Sequence, residues 1–165
     1  MATLAAAALV LAADQLTKLW VRSAFAEEEL TVVINGFFNL TYVRNRGGAF
    51  GIFQHRQMLF VVLSLATIAA LAWFYRGFSP RRRVCRIAVG LILGGALGNL
   101  ADRLLVDRDR CVIDWLDVHW GAYHWPAFNI ADSAISVGVF VLLYYLLLKA
   151  EGGPAKGGGG AAPAG

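Results

Sequence analysis

Hydrophobic positions along the chain fall into four long runs that are nearly free of charge: Met1 to Ala13, Met58 to Tyr75, Ile87 to Ala101 and Ser133 to Leu148. A helix that crosses a bilayer needs about 20 mainly apolar residues, within a range of about 17 to 25. Only the second run reaches that length unaided. The first does so by running through Asp14 and Lys18 to Val21, the third by including Asn99, Asp102 and Arg103, and the fourth by starting near Ile130, before Asp132. The pattern predicts four spanning helices, at about 4–21, 58–75, 85–104 and 130–149, three of them carrying ionisable groups at one end.

The segments between, about 22–57 and 105–129, read differently. Leu30-Thr31-Val32-Val33-Ile34 alternates imperfectly, and Asn35-Gly36 supplies a turn signal. Phe37 to Val43 is rich in aromatic and β-branched residues before Gly47-Gly48 closes the run. A small β-structure lying on the outer membrane surface is expected there. Residues 151–165, almost entirely Gly, Ala and Pro, read as a disordered extension, leaving 1–150 as one four-helix membrane domain.

Composition agrees with a membrane protein. The apolar share is 58 % even without glycine, and only 16 % of residues are charged; soluble domains hold about 45 to 50 % apolar with glycine included and about 25 % charged. Two cysteines, Cys85 and Cys111, give no disulfide framework.

The charge distribution sets an orientation. Arg76, Arg81, Arg82, Arg83 and Arg86 lie within eleven residues that contain no acid, between the second and third runs. Excess Lys and Arg marks the cytoplasmic side, so this loop and both termini are expected inside, with Lys149 and Lys156 in agreement. The basic cluster is read as topological, and no nucleic-acid partner is expected. Every acid except Glu151 then falls in the outer segments or at the adjoining span ends. Ala24-Phe25-Ala26 resembles a cleavage site, but no positive residue precedes the apolar core and Asp14, Lys18 and Arg22 separate the two, so a retained first helix is expected.

Charges near the bilayer interior cost at least about 2.5 to 3.5 kcal/mol, which makes them functional candidates. Asp14 and Lys18 stand four apart in the order that favours a helix pair. Asn99, Asp102 and Arg103 share one face of the third helix, where Arg103 is expected to hold Asp102 ionised. Gly90, Gly94 and Gly98 lead up to that face as a small-residue stripe inviting close helix packing. Asn129 and Asp132 share the start of the fourth helix.

His55, His119 and His124 lack zinc-helix spacing, so no metal is expected. Ser133 reads as a helix-start residue, not a nucleophile. Paired carboxylates remain the simplest hydrolytic machinery, one taking a proton from water and one giving a proton, with Asp102, Asp114, Asp117 and Asp132 as candidates. A proton or ion carrier and a non-catalytic tetraspan scaffold are the competing classes.

Five blocks, Asp14-Gln15-Leu16-Thr17-Lys18, Asn45 to Gly51, Gly98 to Arg103, Val112-Ile113-Asp114 and Phe128 to Ser133, resemble in order the motifs of bacterial lipoprotein signal peptidase, signal peptidase II. The resemblance covers residues 14 to 133. It implies an inner-membrane aspartyl endopeptidase, working at the periplasmic or outer face, that cuts prolipoproteins before the lipid-modified cysteine. The implied catalytic pair is Asp114 and Asp132, supported by Asp14, Lys18, Asn45, Asn99, Asp102, Arg103 and Asn129. No metal or organic cofactor is implied, and the partners are prolipoprotein and membrane lipid, with the enzyme a monomer. Asp102 as the partner of Asp132 is the competing assignment. The chain departs from the pattern in a lengthened stretch, Asp107 to Arg110, and in Ile113 where valine is commoner; Cys111 beside it is expected to pack, or, if exposed, to confer oxidant sensitivity.

Overall fold

The computed structural model describes residues 1–48, 53, 56–77, 83–106 and 109–151. Outside the described residues lie the Gly/Ala/Pro tail from 152 on, Arg81 and Arg82 of the basic loop, His55, residues 49–51 of the second motif block, and Asp107-Arg108 of the lengthened stretch.

Four long helices are present among the described residues: α1 (Ala2–Ala24), α2 (Gln57–Gly77), α3 (Arg83–Ala101) and α4 (Ile130–Glu151). α3 continues into a π-helical turn, Asp102–Val106. α1, α2 and the Arg83–Val106 stretch are each long and apolar enough to cross a membrane, and α4 holds an apolar stretch at Ile130–Tyr145. Alanine, the best helix former, fills the first turns of α1, which ends where Phe25 turns extended while its N–H still reaches Val21 O.

The helices do not share packing equally. Of the α2 apolar window only 6 % is buried, against 61 % for α3. α3 is therefore the centre on which α1 and α4 pack, and glycines set how closely. A Cβ on Gly94 would stand 2.6 Å from Ala7 O and 2.8 Å from Val10 Cβ of α1. One on Gly98 would stand 2.5 Å from the Asp14 carboxylate. The small-residue stripe is thus the α1 contact, and its upper end opens on a charge.

The sheet is an antiparallel meander in the order β1 (Leu30–Ile34), β2 (Phe38–Asn45), β3 (Val112–Trp120), β4 (Tyr123–His124). The first two strands fall where the β-rich run was expected; β3 lies in the second outer segment, where no strand was foreseen. Val21, Ile113 and Trp115 form a buried cluster with Phe25, Leu40, Tyr42, Leu116 and Ile130 against it, fastening the sheet to the ends of α1 and α4. Two details of the sheet place functional groups.

The first is a bulge in β2. Leu40 pairs with Leu116 and Val43 with Asp114, so β2 advances three residues while β3 advances two. Directly opposed residues share a face of the sheet. The extra residue puts Val43, and hence Asn45, on the face of Asp114; unbulged pairing would put Arg44 there instead. The second is Phe128, which bridges to Leu116 and accepts from the N–H groups of Trp115 and Leu116 at 3.0 and 2.9 Å. It ties the chain just ahead of α4 to β3, so the first turn of α4 starts beside Asp114.

Candidate active site

The residues singled out in the sequence converge in one polar cluster. Lys18 Nζ lies 2.8 Å from Asp14 Oδ2 and 2.8 Å from Asp102 Oδ2, and all three side chains have no solvent exposure. It also donates to Asn99 Oδ1 at 2.9 Å. The one ammonium attracts both buried carboxylates and offsets their mutual repulsion, and either carboxylate left without it would bear a large desolvation cost.

The expected pairing of Asp102 with Arg103 is not what forms. Consecutive residues of a helix point in different directions, and the two side chains enter different gaps. Asp102 faces Lys18. Arg103 donates to Asn99 O at 3.3 Å and Gly47 O at 3.4 Å, with its guanidinium 5.1 Å from the centre of the Phe60 ring. Arg103 thus joins the end of α3, the segment after β2 and α2.

Asp114 and Asp132 receive a separate set of donors. Asn45 Nδ2 donates to Asp114 Oδ2 at 2.8 Å, and Asn129 Nδ2 donates to Asp114 Oδ1 at 2.7 Å. Asn99 Nδ2 donates to Asp132 Oδ1 at 2.8 Å. Each amide is oriented by what its own oxygen accepts: Gly47 N–H for Asn45, Lys18 for Asn99, and Asp132 N–H for Asn129. Asn129 and Asp132 also cap α4 reciprocally, with Asp132 N–H on Asn129 Oδ1 at 2.9 Å and Asn129 N–H on Asp132 Oδ2 at 3.2 Å. The capping motif that begins α4 therefore also orients both aspartates.

Asp114 and Asp132 line one cavity of about 600 Å³, with Asn45, Asn99 and Arg103 beside them. Its polar end lies against these groups, and its other walls come from Phe60 and Leu63 of α2 and Ile135 and Val137 of α4. Burial pushes the Asp114 carboxyl up to about 7; the Asp132 charge adds to the rise, and the Asn45 and Asn129 hydrogen bonds oppose it. Asp114 is therefore poised to hold or lose a proton near neutrality, as an acid–base group requires.

The other two candidate aspartates are occupied elsewhere. Asp102 is bound to Lys18 and accepts from Gln15 Nε2 at 3.0 Å and Ile113 N at 3.3 Å, away from the cavity lining. Asp117 accepts from Asn39 Nδ2 at 2.7 Å and His124 Nδ1 at 2.8 Å, and His124 stacks on His119 with ring centres 4.6 Å apart. Burial alone would raise the Asp117 carboxyl, but these donors outweigh it and hold it below the ordinary carboxylate value. Ser133 Oγ donates to Asn129 O at 2.9 Å, a bond within the first turn of α4. Cys111 is fully buried. Gln15 was passed over by the sequence reading; an amide between Asp14 and Lys18 in an apolar run was the signal that could have found it.

Apolar helices packed on a glycine-lined centre, with a small antiparallel sheet and a cavity lined by two carboxylates, define a helical membrane protein. Residues 6–148 match the sequence profile of the family described as Signal peptidase (SPase) II, and the chain belongs to that family of peptidases. A lipoprotein signal peptidase of Syntrophotalea carbinolica is 54 % identical over 141 residues, covering 83 % of this chain and 85 % of the relative. One of Syntrophus aciditrophicus is 46 % identical over 151 residues, covering 87 % and 90 %. A bacterial membrane enzyme solved by the in meso method superposes with a TM-score of 0.84 at 30 % identity, covering 93 % of this chain and 92 % of that one.

Proposed function

We propose that this chain is a membrane aspartyl endopeptidase that removes the signal peptide from diacylglyceryl-modified prolipoproteins, cutting before the lipidated cysteine. The observation that carries the reading is the placement of Asp114 and Asp132 on one cavity wall, each carboxylate held by amide donors. The substrate class rests on the relatives, which are named lipoprotein signal peptidases.

In the proposed reaction the pair holds one proton and one water. The ionised carboxylate takes a proton from the water as its oxygen attacks the scissile carbonyl carbon, while the protonated carboxyl hydrogen-bonds to the carbonyl oxygen. As the carbon–nitrogen bond breaks, a proton returns to the leaving amine, and the pair again holds a single proton. Asn45 and Asn129 keep the Asp114 carboxylate aimed and Asn99 that of Asp132, and no metal or organic cofactor takes part. A shared proton belongs to the pair and not to either residue.

The apolar cavity walls between α2 and α4 suit acyl chains and an apolar signal segment entering sideways from lipid. We assign residues 1–150 to one four-span domain of the inner membrane, with both termini and the Arg76 to Arg86 loop in the cytoplasm and the catalytic pair at the periplasmic or outer face. The enzyme acts as a monomer on prolipoprotein in membrane lipid and binds no nucleic acid. The Asp114→Asn and Asp132→Asn proteins should insert and fold yet leave a lipidated prolipoprotein uncut in a purified assay. Full processing by either rules out the pair.

A further inference from the structure

The two aspartates proposed to be catalytic sit on different elements, β3 and the first turn of α4, which Phe128 O and Asn129 Nδ2 join on one side; a second pair of attachments holds them from the α1 side. The residue just before each one supplies the attachment. Ile113 N–H, ahead of Asp114, donates to Asp102 Oδ2 at 3.3 Å. Ala131 N–H, ahead of Asp132, donates to Asp14 Oδ1 at 3.0 Å. Each of these two buried carboxylates thus holds the backbone of one catalytic aspartate.

The distance between the two carboxylates is set by what bridges them. Lys18 is one bridge, at 2.8 Å to each. Gln15 is the other: its Nε2 shares two N–H groups among Asp102 Oδ1 at 3.0 Å, Gly98 O of α3 at 3.1 Å and Asp14 Oδ2 at 3.2 Å. The ammonium is a rotatable point charge that satisfies two carboxylates over a range of separations, whereas a planar amide has fixed donor directions. Lys18 supplies the attraction, and Gln15 the geometry.

We propose that Gln15 is a positioning residue of the peptidase reaction: by bridging Asp14 and Asp102 it completes, together with the Phe128 and Asn129 ties, the set of contacts that fixes the separation of the Ala131 and Ile113 backbones, and through them that of Asp132 and Asp114. The inference rests on the Asp114–Asp132 reading above. It takes Gln15 to act without touching substrate, from outside the cavity lining.

The test is steady-state cleavage of a lipidated prolipoprotein by the full chain in detergent, comparing wild type, Gln15→Met, Asp114→Asn and Asp132→Asn across pH. Methionine keeps the length and volume and removes the donor. The expected result is a fall in kcat of about ten- to a hundredfold, the cost of roughly an ångström of misplacement, with KM within about twofold of wild type. The upper limb of the pH profile should move to lower pH, because carboxylates that relax apart repel less and give up their last proton more easily. A folded Gln15→Met protein with wild-type kcat and profile overturns the proposal, and so does a loss that only follows the folded fraction while the profile stays in place. Gln15→Asn, which keeps the amide on a shorter arm, serves the same comparison if the methionine variant does not fold. Activity in either aspartate variant removes the catalytic pair and this inference with it; inactive aspartate variants beside an unaltered Gln15→Met remove the positioning role alone.

Discussion

Asn129 shows how much one side chain settles here: its oxygen caps α4 at Asp132 N–H, and its nitrogen fixes Asp114. The arrangement carries a stability cost that pH reveals. Asp114 is pushed from 3.8 to about 7 in the folded chain, so the native state favours its protonated form. The folded protein then loses stability as pH rises from about 4 to about 7 and stays at the lower level above that, because ionisation is easier in the unfolded chain. The Asp114→Asn protein lacks this titration. Its stability relative to wild type should be higher above pH 7 than near pH 4 by on the order of 4 kcal/mol, the full three-unit shift, whatever constant offset the new NH₂ group adds at both. Thermal unfolding in detergent at the two pH values checks it, and an equal offset at both contradicts the buried-acid account. The gathering of Asp14, Lys18, Asn99, Asp102, Asn129 and Asp132 was legible because ionisable and amide groups stand out in apolar runs. Which of them touch was not: Asp102 chose Lys18, 84 residues away, over its neighbour Arg103, since only the fold brings α1 within reach.

Helices and strands differ in how openly the sequence announces them. The long apolar runs and the Gly90, Gly94, Gly98 stripe are local signals, and the apolar helices follow from them. β3 was missed because Asp114, Asp117 and His119 interrupt its apolar residues, and because its partner β2 lies beyond two intervening helices; its pairing rests on contacts no short window contains. The β2 bulge, which decides that Asn45 and not Arg44 faces Asp114, leaves no mark in composition at all. The stripe itself gives a sharp test. Gly94→Ala forces a methyl to within 2.6 Å of Ala7 O, and overpacking of that kind costs about 1 to 3 kcal/mol. Enlarging the exposed Ala5 of α1 to leucine, which adds apolar bulk where nothing packs, should change stability by no more than about 0.5 kcal/mol. Equal effects at the two positions would mean that α1 and α3 do not depend on close approach.

Across the assembled chain the lipid-facing surface is broad and apolar, with Trp73, Phe140 and Leu147 well exposed. α2 belongs almost wholly to that surface, only Val61 among its described side chains being buried, yet its Phe60, Leu63, Ser64 and Thr67 line the cavity. The helical walls of the site therefore differ: α3 and α4 meet closely, Gly95 against Ala131 O and Gly138 against Ala88 O, whereas α2 is almost wholly exposed to its surroundings. Reconstitution in bilayers of different acyl length should accordingly change KM severalfold while kcat stays within about twofold, since the proposed substrate path runs beside α2 and the proposed catalytic pair lies on β3 and α4. A kcat that varies as widely as KM would place the chemistry on a yielding support. One wall of the proposed reaction vessel is thus a helix whose outer face rests on lipid, which makes the membrane a working part of the enzyme we propose.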